Sequence, residues 1–224
     1  MRRESSGETP APIRLEARWP IMVAIAVILT ITAVRPSDLR IAPRWVLPAF
    51  EAILLLLLVT GHPARLTRRA AGLRALSIGV VAVVLVDTLA ATVRLVDVLI
   101  HGGNATNSAD KLLAAGALVW GANVIAFALL YWLMDSGGPA TRTHHPRTYP
   151  DFAFPQQLSP ELAPPDWRPQ FLDYLYLSLT SSAAFSPTDV MPLVPWAKIA
   201  MAGQSLISIA VLGLVIARAV NVFT

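Results

Sequence analysis

The stretch IAMAGQSLISIAVLGLVIA, residues 199–217, holds nineteen residues without one charge, between Lys198 and Arg218. A helix rises about 1.5 Å per residue, so this run just spans a hydrocarbon core of roughly 30 Å. Outward from it, apolar runs recur at residues 19–34, 45–60, 75–100 and 112–134, and a shorter one at 171–185 comes immediately before it. The solvent for most of this chain is therefore lipid. Composition agrees: hydrophobic residues make up 55% and charged residues 14%, where soluble domains carry roughly 25% charged. In 224 residues with several spans, little chain remains for a separate water-soluble domain.

The expected fold is all-α, a polytopic transmembrane bundle of about six hydrophobic segments. The fifth is short enough either to cross or to re-enter. Residues 1–18 form a polar tail of mixed charge, 19–134 a four-helix region, 135–170 a connection holding eight prolines, and 171–224 a C-terminal hairpin. The proline-rich connection reads as irregular or polyproline-like backbone. The first two runs, sixteen residues each, are short for a span, but flanking Trp and Arg side chains can reach the interface. Arg35-Pro36-Ser37-Asp38 follows the first run where a signal peptide would need small residues, so an uncleaved span is expected.

Lys and Arg counts orient the bundle. If the N-terminus is cytoplasmic and residues 171–185 cross, the inner segments hold Arg2, Arg3, Arg14, Arg18, Arg65, Arg68, Arg69, Arg74, Arg142, Arg147, Arg168 and Arg218. The outer ones hold Arg35, Arg40, Arg44, Lys111 and Lys198. Twelve against five places both ends inside. Richness in Ala, Val, Leu, Arg and Pro fits GC-rich bacterial DNA, hence a bacterial inner (cell) membrane. The net charge of +4 lies beside apolar runs and points to the lipid bilayer as partner. No aromatic-interleaved basic patch suggests nucleic acid. The chain has no cysteine, and His144-His145 offers at most two metal ligands. With no catalytic fingerprint in the sequence, neither an enzyme nor a cofactor is expected.

Four ionisable residues lie inside apolar runs: Glu51, Asp87, Arg94 and Asp97. Each costs about 2.5–3.5 kcal/mol at depth, so such groups face the bundle and find partners. Asp87 and Arg94 are seven apart, two turns on one helical face, with Asp97 near the same stripe. Glu51 lies six residues past Trp45 and Arg94 six before Ile100, which puts both about 9 Å below one surface in antiparallel helices. A Glu51–Arg94 pair is expected, as part of either an ion or proton relay or a structural lock between helices.

The C-terminal hairpin reads Thr180-Ser-Ser-Ala-Ala-Phe-Ser-Pro-Thr-Asp-Val-Met-Pro192 before the final run. A short helix ending in Thr and Ser, an aromatic, an Asp with a Pro three residues on, and then a long helix resemble the pore region of potassium channels. The likeness covers residues 171–222 and rests on Thr180, Phe185, Ser186, Thr188, Asp189 and Pro192. It implies a channel-like pore, a small ion and a homo-oligomer. Channel filters place glycines beside the aromatic so that alternate residues take φ > 0. Ala184 and Ser186 stand there instead, and Pro187-Thr188 precedes the Asp, so no tetrameric potassium filter is expected. The plainer alternative is a helix-capping turn at Ser186–Asp189 with Pro192 and Pro195 in the first turn of the last helix. On that helix Ala202, Gly203, Ser205, Ala210 and Gly213 allow close approach, and Gln204 with Ser208 can hydrogen-bond across an interface.

Two functional classes follow. One is a transport-related or channel-like protein working through the third helix and the hairpin. The other is a non-catalytic structural or assembly protein whose hairpin is a packing interface.

Overall fold

The computed structural model describes residues 19–60, 68–102, 108–144, 149–185 and 189–223; the N-terminal tail, Ser186 and Thr188 lie outside them. The chain is mostly helical: α1 (Trp19–Val34), α2 (Val46–Thr60), α3 (Arg68–His101), α4 (Ala109–Met134), α5 (Pro139–His144), α6 (Pro155–Leu158), α7 (Phe171–Ala184) and α8 (Pro195–Phe223). A two-stranded antiparallel ribbon joins β1 (Phe152–Ala153) to β2 (Met191–Pro192), with Phe152 opposite Pro192. Three stretches, Arg74–His101, Ala109–Gly137 and Pro195–Val220, are long and apolar enough to cross a membrane. At sixteen and fifteen residues, α1 and α2 rise only about 24 and 22 Å.

Burial is distributed as a lipid solvent demands. The inward stripe of α3 includes Val80, Val84, Asp87, Thr88, Ala91, Thr92, Leu95 and Leu99, at helical spacing, whereas its outer face shows Val86, Leu89, Val93 and Ile100. The polar residues of that stripe are inside and large aliphatics outside, which suits hydrocarbon and would not suit water. α4 is the most enclosed of the long helices, buried without a break from Ala122 to Leu129 and again from Tyr131 to Leu133. It packs against α1, α3, α7 and α8, and α2 lies on α1 and α3.

Helix directions follow from named contacts. Tyr131, Asn123 and Gly116 of α4 meet Gln204, Ser208 and Val215 of α8 in turn, so α8 runs opposite to α4. α7 also opposes α4: Phe171 packs on Trp132, Tyr174 bonds Asp135 just past α4, and Ser178 bonds the Val124 carbonyl further in. α7 and α8 therefore run in the same direction. Tyr174 and Trp196, near their starts, both touch the Phe152 ring. The charge count took residues 171–185 as a crossing segment with α8 returning, which would make the two helices antiparallel; they run together instead. Phe185 closes the far end of α7, whereas Pro192 pairs with Phe152, whose ring lies against Tyr174 near the start of α7. α1 opposes α4 as well, since Ile31 lies by Gly121 while Leu39 shares an apolar cluster with Leu112 and Ala115. The start of α1 and the end of α8 consequently lie at opposite ends of the bundle, which corrects the placement of both termini on one side.

The proline-rich connection is ordered where it meets the helices. Asp135, Ser136, Asp151, Phe152, Ala153 and Phe154 are buried, and α5, β1 and α6 are short structured pieces, so it is not simply irregular chain. α4 ends in three consecutive positive φ values, Ser136 (51°), Gly137 (85°) and Gly138 (91°). A Cβ at Gly138 would lie 2.9 Å from the Leu133 carbonyl oxygen, so only glycine fits this reversal.

Among the described helix glycines the closest approach of another helix is at Gly116, where an added Cβ would sit 2.7 Å from Val215 Cγ2, whereas Gly213 has nothing within 4 Å. Gly116→Ala should destabilise the protein by about 1–3 kcal/mol through overpacking, and Gly213→Ala should not. Equilibrium unfolding in detergent micelles checks this; equal effects at the two positions would contradict the packing described.

Candidate functional site

Three polar clusters interrupt the apolar interior. The first joins α1, α2 and α3. Arg35 Nη1 donates to Asp87 Oδ2 at 2.6 Å, with side-chain exposures of 1% and 3%. The Thr32 hydroxyl lies 2.8 Å from Glu51 Oε1 and 2.9 Å from the Ile28 carbonyl, and Glu51 is equally buried. Asp87 sits about midway along the crossing stretch of α3, roughly 20 Å from Arg74 and 21 Å from His101. The Arg35 charge is thus carried to mid-depth because α1 is short and its end lies inside the bundle.

The expected Glu51–Arg94 pair is not formed. Arg94 is exposed, and Asp97 is exposed with its carboxylate 3.0 Å from His101 Nδ1, one turn along. Arg94 lies only about 20° from Asp87 around the helix axis, by 100° per residue, so cover and not helical phase separates them. The chain after α1 packs against α3 next to Asp87 but leaves Arg94 uncovered. Position within an apolar run marked Glu51 and Asp87 as needing partners, and equal depth paired Glu51 with the wrong residue, Arg94. Both missed Arg35, which stands just after an apolar run and reads as a loop charge.

The second cluster fastens α4, α7 and α8. The Gln204 amide donates to the Ser178 carbonyl (3.0 Å), Ser178 Oγ (2.6 Å) and Ser182 Oγ (2.8 Å), and its carbonyl accepts from the Tyr131 hydroxyl (2.6 Å). Ser178 Oγ donates to the Val124 carbonyl, and Asn123 Nδ2 donates to Ser208 Oγ at 3.1 Å. Gln204, Ser208, Ser178, Ser182, Asn123 and Tyr131 are all fully buried. The polar residues of the last helix thus face another part of the same chain. Ser178 and Ser182 supply the other half of this seam; their four-residue spacing in a short apolar run was the available signal.

The third is a knot at the C-terminal end of α4. Buried Asp135 accepts from the Ser136 hydroxyl, the Asp151 amide and the Tyr174 hydroxyl. Asp151 in turn accepts from the Ser136 amide and the Trp196 indole, and its carbonyl accepts from the Leu193 amide. Arg142 Nη1 donates to the last carbonyls of α4, Trp132 (2.8 Å) and Asp135 (2.9 Å), and the guanidinium lies 5.0 Å over the Tyr174 ring. The starts of α7 and α8 are held here side by side.

The pore-like residues are distributed along α7 and its return. Gln170 and Asp173 cap the entry of α7, the Gln170 amide donating to the Asp173 carboxylate at 2.7 Å. Thr180 is half-buried and its hydroxyl returns to the Tyr176 and Leu177 carbonyls. Phe185 ends α7 in the left-handed region (φ 57°, ψ 19°), 41% exposed. Asp189 is exposed beside buried Val190. The helix-capping alternative falls largely on Ser186, Pro187 and Thr188, outside the described residues; Pro195 opens α8 as that alternative expects, whereas Pro192 belongs to β2. No protein-family model, curated protein or solved structure matches this chain.

Removing one member of the buried Arg35–Asp87 pair should be far worse than removing both. Arg35→Gln or Asp87→Asn alone should cost about 3–5 kcal/mol, the double variant clearly less than the sum, and Arg94→Gln within about 0.5 kcal/mol of zero. A double-mutant cycle by unfolding in bicelles reads the coupling. Additive losses, or an Arg94 effect as large, would contradict it.

Proposed function

We propose that this chain is a transport-related integral membrane protein whose residues 171–223 form a re-entrant hairpin followed by a span. The observation that carries this reading is the shared direction of α7 and α8, with Phe185 at the far end of α7 and β2 back beside its start. A half-length helix and a long following helix that start at the same face are the layout on which pore regions are built. Phe185 takes the positive φ such a turn requires without a glycine. Selectivity in a return of this sequence comes from side chains, Asp189 and Thr188 foremost with Thr180 behind them, and gives a weak cation preference. The reading implies a homo-oligomer with the hairpins arranged around its axis. The charges of α2 and α3 share no hydrogen bond with the hairpin among the described residues and are read as a lock and not as part of the path.

Charge supports a cytoplasmic N-terminus in a bacterial inner membrane. With α7 and α8 running together, Lys198 joins the N-terminal face and Arg218 leaves it, so that face still carries twelve basic residues. The opposite face keeps Arg40, Arg44, Lys111 and Arg218 once Arg35 is buried. The hairpin then enters from the cytoplasmic side. A second reading, a non-catalytic assembly protein, is favoured by the complete internal pairing of Gln204 with Tyr131, Ser178 and Ser182; these groups are helix glue.

Proteoliposome flux separates the two. The transport reading expects Na⁺ and K⁺ flux above empty liposomes, with less than about tenfold discrimination, and a several-fold fall in Asp189→Asn. No flux above background would support the assembly reading. Because the chain lacks cysteine, single cysteines at Arg74, Leu193 and His101 can be labelled cleanly. Positions 74 and 193 should react from the cytoplasmic side and 101 from outside; opposite sides for 74 and 193 would contradict the re-entrant hairpin.

A further inference from the structure

Among the described residues, no anion pairs with the buried guanidinium of Arg142. It is 8% exposed, and its Nη1 is committed to two neutral carbonyls while its Nη2 has no hydrogen-bond partner. The two carboxylates of the knot do not supply one. Asp135 spends its oxygens on Ser136, Asp151 and Tyr174, and Asp151 bonds Ser136 and Trp196. A buried charge held only by dipoles and one aromatic face retains a strong demand for an opposite charge.

That side chain lines a cavity of about 400 Å³, at the lower end of small-molecule sites, roughly 300–1,000 Å³. Arg168 lines it too and ties its Nη1 to the Arg142 carbonyl at 3.3 Å. Trp167, Pro150 and Pro169 form apolar walls, and Ser136 adds a hydroxyl. Arg142 offers an unused Nη2 and Arg168 adds a second positive charge to the same small cavity, a combination suited to a tetrahedral oxyanion. The cavity sits where α4 ends and α7 and α8 begin, the face richest in arginine. Basic pockets at that level of a helical membrane protein are where anionic headgroups bind.

We propose that the cavity beside Arg142 and Arg168 is a phosphate-binding site, filled by the phosphate of an anionic lipid headgroup or by free phosphate. Arg142 supplies the unpartnered Nη2, Arg168 the second cation, and the apolar walls accommodate the glycerol end of a headgroup. The site lies apart from the return segment, so it stands whether or not the hairpin conducts.

The test is thermal stabilisation of the full chain in neutral detergent, titrated with inorganic phosphate, phosphatidylglycerol or phosphatidylcholine against chloride at matched ionic strength. Saturable stabilisation by inorganic phosphate identifies the free anion, and by phosphatidylglycerol alone the headgroup; either supports the site. Arg142→Gln and Arg168→Gln should each weaken the apparent affinity at least tenfold. Arg142 also caps α4, so Arg168→Gln carries the test if the first variant does not fold. Stabilisation no greater than with chloride or phosphatidylcholine, or an unchanged affinity in Arg168→Gln, overturns the proposal.

Discussion

Gln204 fastens three helices at one point. Hydrocarbon gives helices no hydrophobic reason to associate, so close packing and hydrogen bonds between them must do it. A buried amide has two donors and an acceptor to satisfy, and here both serines of α7 and the tyrosine of α4 meet that demand. The three backbones are held at a fixed relative height as a result. Loss of this amide would leave a tyrosine hydroxyl and two serines short of a buried partner, a cost of the order of 1–3 kcal/mol for each group left unsatisfied. Its register places Trp196 beside Tyr174, and from that the direction of the hairpin follows.

The knot around Asp135 serves the same arrangement from the other end. Helix ends leave carbonyls and amides unpaired, and several converge there: the end of α4 and the starts of α7 and α8. Arg142 takes the carbonyls of α4, and Tyr174 and Trp196 bind the acidic residues of the connection. Phe152 packs against Tyr131, Tyr174 and Trp196 at once, ring centroids 5.2–6.4 Å apart. A short ribbon that ties the proline-rich connection to the chain just before α8 thus aligns two helix starts.

Helix existence was legible because the helices coincide with apolar runs that hold few or no charges; the run at 19–34 and α1 have the same bounds, and 112–134 differs from α4 only at its start. Gln204 and Ser208 were legible as an interface because polar groups four apart on an apolar helix must pair. The direction of α7 was not legible, for a specific reason. Exchanging Lys198 and Arg218 between faces leaves twelve basic residues on the N-terminal face, so the charge count does not distinguish a crossing helix from a returning one. The Arg35–Asp87 bond joins residues 52 apart, and helical phase within α3 cannot tell Asp87 from Arg94. What differs is the cover supplied by the chain after α1, a tertiary fact.

Distance measurement between spin labels tests the shared direction of α7 and α8 most directly. With labels at Leu172 and Lys198, near the two helix starts, and separately at Leu172 and Val220, the account predicts the first pair close and the second longer by most of the rise of α8 between the two positions, roughly 33 Å. A short distance from Leu172 to Val220 and a long one to Lys198 would mean that α7 crosses and α8 returns, and the re-entrant hairpin would be wrong.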